Sequence, residues 1–192
     1  MHFPLPYIPQ KSYRGGRGFG ADRTGVAKKL GTCPGDVLKH GACDLMAPPG
    51  TPVLAIDDGV VLCNPYRFYD KTYAIEIQHT NFIARYCEIR RQTEVGLQST
   101  VKAGQVIGYV GNQPGADMLH LELFSGARTG PLTTAKTVAN QPFYRRKDMM
   151  DPTPVLDSLR HTVQSNSEDW TVVSRADGCK VVEARTLSLL DL

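Results

Sequence analysis

The chain lacks a hydrophobic run of transmembrane length, a C-x-x-C pair, an internal repeat and any low-complexity tract. A membrane span takes about 20 consecutive apolar residues, so none is expected. The cysteines, at 33, 43, 63, 87 and 179, are odd in number and fit no disulfide framework. At least one thiol stays unpaired. A Cys33–Cys43 bridge across a loop remains open, while Cys43, Cys63 and Cys87 lie in apolar runs that suit buried thiols. The opening "MHFPLPYIPQ" has neither a basic n-region nor a long apolar stretch, so no conventional export signal is visible, or one has been removed. Charge of one sign is scarce too. Against 22 Lys and Arg stand 19 Asp and Glu, a net charge of +3. The basic runs Arg90–Arg91 and Tyr144–Lys147 are short and read as solvated surface, so no nucleic-acid partner is expected.

Helix signals are sparse as well, confined to a short turn around "DPTPVLDSLRH" with proline early, where it is tolerated. What is present is strand. With 192 residues, 41% hydrophobic and 21% charged, the chain suits one soluble domain with an appendage. Residues 1–38, with "SYRGGRGFGADR", are too rich in Gly and Pro for a long element and read as an arm packing on the core. From Thr51 onward short β-type runs follow one another: "TPVLAI", "GVVLC", "YAIEIQ", "IARYC", "VIGYVG" and "MLHLELF". Runs this short, separated by turn residues, imply a mainly β fold, an antiparallel sandwich or barrel-like sheet. The main domain is placed at 39–156. Residues 157–192 form a C-terminal appendage in which "WTVVSRADGCKVVEA" reads as a hairpin.

Chemistry enters at His120. Strand alternation in "DMLHLEL" puts Met118, His120 and Glu122 on one side and Leu119, Leu121 and Leu123 on the core side. The His side is therefore expected to face outward or into a groove. Glu122 either hydrogen-bonds the imidazole from behind or is an exposed strand carboxylate. Upstream, "KHGACDLMAPPGTPV" sets His40 and Asp44 four apart, in a loop running into a strand. Two imidazoles and a carboxylate would make three protein ligands for a tetrahedral Zn2+, leaving the fourth position for water, as catalytic zinc requires. Spacing alone is a weak signal, because His-x-x-x-Asp is common by chance.

The segment "HGACDLMAPPGTPVLAIDDGVV" strongly resembles the zinc-ligand block of the lysostaphin/LytM-type endopeptidases, metallopeptidase family twenty-three. The resemblance continues in order through "AIEIQH", "ARYCEI", "VKAGQVIGYVGN" and "LHLEL", covering residues 19 to 156. It implies the family's β fold, of the duplicated hybrid motif type, with one zinc per chain held by His40, Asp44 and His120. It implies hydrolysis of stem or cross-link peptides in peptidoglycan. Arg23 in "GADR" resembles a family arginine near the groove, either meeting a substrate carboxylate or lying on the surface. His79 matches a position that is not a ligand and is expected at a strand end; His2 and His161 lie outside the match.

Two histidines usual in the family are replaced. Where Tyr-x-His-Leu is expected the chain reads "YCEI", placing Glu88, and Met118 stands where His-x-His has its first His. Two readings follow. In one, the chain is a zinc endopeptidase with Glu88 as an altered general base and Tyr86, on the same strand face, donating to the oxyanion. In the other, it is an inactive zinc-binding module that recognises cell-wall peptide or a protein partner. Work at the periplasm or cell wall without an export signal implies phage lysis or delivery as an antibacterial effector, with a delivery or immunity protein as partner.

Overall fold

A computed structural model of the chain describes residues 1–25, 38–127, 130–133 and 142–163, and the backbone of 170–174 and 180–184. Short β-branched and aromatic runs between Gly, Pro and Asp turns favour pleated pairing over helix. In chain order the strands are β1 Cys43–Met46, β2 Pro52–Leu54, β3 Gly59–Val61, β4 Tyr66–Arg67, β5 Tyr73–His79 and β6 Ile83–Ile89. Then come β7 Thr100–Val101, β8 Val106–Tyr109, β9 Met118–Phe124, β10 Met149–Met150, β11 Trp170–Ser174 and β12 Lys180–Ala184. The main sheet runs β1-β9-β6-β5-β3-β7, with β10 against β9 and β4 against β5; β2 pairs with β8. Its ladders are antiparallel. Strands β11 and β12 pair with Trp170 opposite Ala184, and the turn between them lies outside the described residues. Thr24 and Gly25 are helical, and α1 spans Thr153–Ser158, beside short 3-10 turns. The fold is mainly β and antiparallel, as the sequence implies.

One face of the sheet builds the core from Leu45, Ile75, Ile77, Ala84, Tyr86, Leu119, Leu121 and Leu123, all at 0% exposure. The N-terminal arm is stitched to the β2 edge by backbone hydrogen bonds, His2 N–H to Ile56 O (2.6 Å) and Leu54 N–H to Pro4 O (2.9 Å). Its Phe3, Leu5 and Tyr13 are buried in that core. The boundary expected at residue 156 falls inside α1. Leu156, Leu159 and Val163 are buried in the main core, and Asp157 accepts hydrogen bonds from Tyr13 Oη (2.8 Å) and Arg14 Nη2 (2.6 Å).

Two departures from the sequence reading position the site. The polar side of β9 is covered: Met118 and His120 are 8% exposed and Glu122 0%. The strand lies between β1 and β6, and Arg85, Arg145 and Phe68 close over it. Strand β6 also carries a bulge. Tyr73 pairs with Ile89 and Ala74 with Cys87, so Glu88 is the extra residue, at φ +63°. A bulge re-aims the side chain it carries. Gly111 makes it possible, since its N–H donates to Glu88 O (2.8 Å) and a Cβ there would stand 2.8 Å from that oxygen.

Candidate metal centre

Asp44 on β1 lies directly opposite His120 on β9, so the ladder itself sets their side chains together. His40 enters from the approach to β1, its backbone paired with the arm through Gly20 N–H to His40 O (2.8 Å) and His40 N–H to Ala21 O (2.8 Å). Three atoms converge: His40 Nε2 to Asp44 Oδ1 is 3.1 Å, His120 Nδ1 to Asp44 Oδ1 is 3.0 Å, and His40 Nε2 to His120 Nδ1 is 3.3 Å.

The outer nitrogens explain what these atoms want. His40 Nδ1 lies 3.0 Å from Gly18 O, and His120 Nε2 lies 3.1 Å from Glu122 Oε1. A carbonyl and a carboxylate only accept, so each outer nitrogen donates, and in the neutral ring the inner nitrogen presents a lone pair. The two lone pairs and the Asp44 carboxylate oxygen then face one another with no proton among them. Such a cluster calls for positive charge. His120 shows the demand: burial opposes its protonation, yet Asp44 and Glu122 outweigh burial and push its pKa up to about 9. Burial likewise opposes the Asp44 charge, but His120 and His40 hold its pKa below the usual carboxylate range. A tetrahedral zinc with bonds of about 2.0–2.1 Å would keep its ligands about 3.3 Å apart, so donor set and spacing both fit zinc.

The surrounding residues fix this triad. Glu122 is fully buried, not an exposed carboxylate. Its Oε1 accepts from Arg145 Nε (2.9 Å) and Nη2 (2.7 Å), and its Oε2 from Arg85 Nη1 (3.2 Å). Burial raises its pKa, but Arg145, His120 and Arg85 more than reverse this and hold it well below the ordinary carboxylate range. Arg23 lies beside the triad. Its Nη2 donates to Asp44 Oδ2 (3.1 Å) and its Nη1 to Gly16 O (2.5 Å), so it holds the Asp44 carboxylate in place. Cys87 lies close to His120 and Glu122, but burial pushes its thiol pKa up and both Glu122 oxygens are occupied by arginines. Cys43 is a free thiol beside Thr153 Oγ1 (3.4 Å), and Cys33 lies outside the described residues.

The bulge turns Glu88 to the His120 side, where both line a cavity of about 490 Å³. Gln113 Nε2 donates to Glu88 Oε2 at 2.5 Å. Burial, with the Asp44 charge adding, pushes the Glu88 pKa up to about 7 against the pull of His120, Gln113 and Arg23. Tyr86 does not share this face. It lies in the core at 0% exposure, accepting from Ile56 N–H (2.8 Å) and meeting His79 Nε2 (3.1 Å), so it offers the site no donor. The error has one cause: parity along β6 fails at the bulge. His79 is buried, its Nδ1 3.1 Å from Asp58 O. Met118 is buried opposite Met46 and brings only a thioether. Sequence reasoning missed Arg85, Gln113 and Arg145. The one legible hint was an arginine inside the apolar run "IARYC".

Residues 38–131, which contain His40, Asp44, Glu88 and His120, match the model of Peptidase family M23. The peptidoglycan DD-endopeptidase ShyC of Vibrio cholerae serotype O1 is 33% identical over 110 residues, 55% of this chain and 25% of that protein. The chain thus spans about a quarter of the length of this curated relative. The antimicrobial peptidase lysostaphin from Staphylococcus simulans is similar in structure at a TM-score of 0.57 and 20% identity, over 93% of this chain and 65% of that chain. A second solved structure, cbpa from L. salivarius REN, gives 0.56 at 18% identity, over 83% of this chain and 97% of that chain. At such identities the likeness speaks for the fold. No helix among the described residues is long and apolar enough to cross a membrane.

Proposed function

We propose that this chain, whose residues 38–131 match the model of Peptidase family M23, is a zinc-dependent hydrolase of peptide bonds in peptidoglycan, acting on stem or cross-link peptides. The observation that carries the reading is the inward convergence of His40 Nε2, Asp44 Oδ1 and His120 Nδ1 within 3.3 Å of one another. One zinc per chain, held by these three, supplies Lewis acidity toward a peptide carbonyl and lowers the pKa of water. The remaining work falls to the chain's own groups. Glu88 takes the proton of the attacking water and returns it to the leaving amine, held for that role by Gln113. Arg23 aims Asp44, and Glu122 with Arg145 aims His120. The likeness to ShyC supports peptidoglycan as substrate, and the periplasm or cell wall as the place of action.

A second reading has one observation in its favour. Neither Met118 nor Tyr86 offers a donor to a developing oxyanion, which suits a zinc-holding module that binds cell-wall peptide without cutting it. Digestion of purified peptidoglycan by wild type, Glu88→Gln and His120→Ala separates the two. The hydrolase reading expects released peptides from wild type, a large loss in Glu88→Gln and none from His120→Ala. Zinc-loaded wild type that releases nothing supports the module, and undiminished product from Glu88→Gln removes Glu88 from the mechanism.

A further inference from the structure

The cavity beside His120 is lined by one carboxylate, Glu88, and by three arginines, Arg67, Arg85 and Arg145, with Phe68 on its wall. A site that only gripped a metal and deprotonated water would have no use for three guanidinium groups. Two of them are partly explained. Arg85 is 5% exposed, its guanidinium over the Phe68 ring, 4.8 Å from its centre. Its Nε donates to Tyr66 Oη (2.7 Å) and its Nη1 to both Glu122 Oε2 (3.2 Å) and Thr133 Oγ1 (2.7 Å). Arginine carries five N–H donors. The Nη2 amine of Arg85 therefore makes no hydrogen bond to the described residues, on a side chain that lines the cavity. Arg145 is in a similar position. Its Nε and Nη2 converge on the single oxygen Glu122 Oε1 and its Nη1 reaches Tyr144 O (3.3 Å), leaving one N–H on each terminal nitrogen. Arg67, an exposed residue of β4, donates from Nη1 to Asp70 O (2.9 Å), and its guanidinium lies over the Tyr73 ring, 5.5 Å from its centre.

The carboxylates Glu122 and Glu76 stand behind this wall and do not line the cavity. Glu122 sits between Arg85 and Arg145, and Glu76 accepts from Tyr66 Oη, 3.8 Å from Arg85 Nε. Among the described residues no arginine nitrogen is both fully buried and unpartnered, and all three arginines line the cavity, where an anion would meet them. Planar paired N–H groups suit a carboxylate, which accepts two parallel hydrogen bonds.

We propose that this cavity is a carboxylate-binding subsite: Arg85 Nη2 and Arg67, with Arg145 beside them, receive a free carboxylate of the bound peptide next to the metal centre. The subsite rests on the reading of the chain as a peptidoglycan peptidase, and it narrows the substrate to peptides bearing a carboxylate close to the bond addressed at His120. An α-carboxylate at the chain end and a side-chain carboxylate share this chemistry.

The test reads binding and not cleavage. Zinc-loaded protein is titrated by calorimetry with acetyl-alanyl-alanine, with its C-terminal amide, and with acetyl-glutamic acid α-amide, which carries only the side-chain carboxylate. Binding of at least one of the two acids should exceed that of the neutral amide by roughly 10- to 100-fold, the range for hydrogen bonds to a charged group. Whichever acid is preferred identifies the source. The preference should shrink about tenfold in Arg67→Gln, an exposed residue whose loss leaves the fold intact. It should shrink as far in Arg85→Lys, which keeps positive charge beside Glu122 while deleting the Nη2 amine. Equal binding of acids and amide overturns the subsite. So does a preference that survives both variants, since a carboxylate held by zinc alone is indifferent to them. A carboxylate preference in protein that releases nothing from peptidoglycan would defeat the hydrolase reading and leave the subsite standing. Digestion without any preference would do the opposite.

Discussion

Strands β6 and β9 each have two buried faces, and the two faces are built on opposite principles. On one, Tyr86, Leu119, Leu121 and Leu123 are stabilised by area removed from water, and the single hydroxyl among them has its partners in Ile56 N–H and His79 Nε2. On the other, Arg85, Cys87, His120 and Glu122 are buried as deeply, at 8% exposure or less. There burial alone would be strongly unfavourable. The charged face is tolerated because it is nearly saturated: Glu122 takes three arginine donors and one imidazole, and Asp44 takes Arg23. Two features of that face stand apart from this network: the triad atoms His40 Nε2, Asp44 Oδ1 and His120 Nδ1, which meet only one another on their inner side, and the arginines that line the cavity. Unmet groups in an otherwise satisfied network point to what is missing from it. The apolar face holds the fold together; the polar face carries the proposed cation and carboxylate sites.

The sharpest test of this contrast is removal of a triad member. Asp44→Ala should lose its zinc, measured by elemental analysis, and peptidoglycan digestion should fall to background, with the apolar core keeping the domain folded by circular dichroism. Next comes the base. Glu88→Gln should lower the turnover rate by about 10²- to 10⁴-fold, the usual worth of a positioned general base, with zinc content unchanged. A loss smaller than that would take Glu88 out of the chemistry. Arg145→Gln attacks the support and not the ligands. Chelator competition should show zinc affinity reduced by about 10- to 100-fold, as for other groups that orient metal ligands.

The remaining predictions probe the apolar face and should leave turnover per bound zinc untouched. Tyr86→Phe strands Ile56 N–H and His79 Nε2, so urea unfolding should show a loss of about 1–3 kcal/mol. A loss of activity at full zinc occupancy would return Tyr86 to the site. His79 gives the smallest effect. Burial holds its pKa below the ordinary 6.5, although Asp58 and Asp57 pull the other way. The unfolded chain therefore binds a proton that the folded chain refuses. This contribution to stability is complete above about pH 6.5 and is lost as pH falls below it. His79→Gln should flatten that part of the urea-midpoint profile.

Much of this contrast was legible in the residues. Alternation in "MLHLELF" separates the leucines from His120 and Glu122, and "HGACD" ahead of a proline-glycine turn places His40 and Asp44 at the head of a strand. Burial of the polar face was not legible, because its cover includes Arg145, which follows Glu122 by 23 residues and meets it only through the fold. The bulge was not legible either. A glutamate at positive φ has no sequence signature, so parity put Glu88 beside Tyr86 when the backbone turns them apart. The end of the main core was hidden in the same way, since only packing reveals that Leu159 and Val163 belong to it.

The central claim is that three acceptors face inward because a divalent ion belongs among them. Crystals of the purified protein, measured on both sides of the zinc absorption edge, test it directly. One anomalous peak per chain is expected, about 2.0–2.2 Å from His40 Nε2, Asp44 Oδ1 and His120 Nδ1. A map with no peak there after zinc has been supplied, the three side chains closed on one another through a proton on His120, would contradict it.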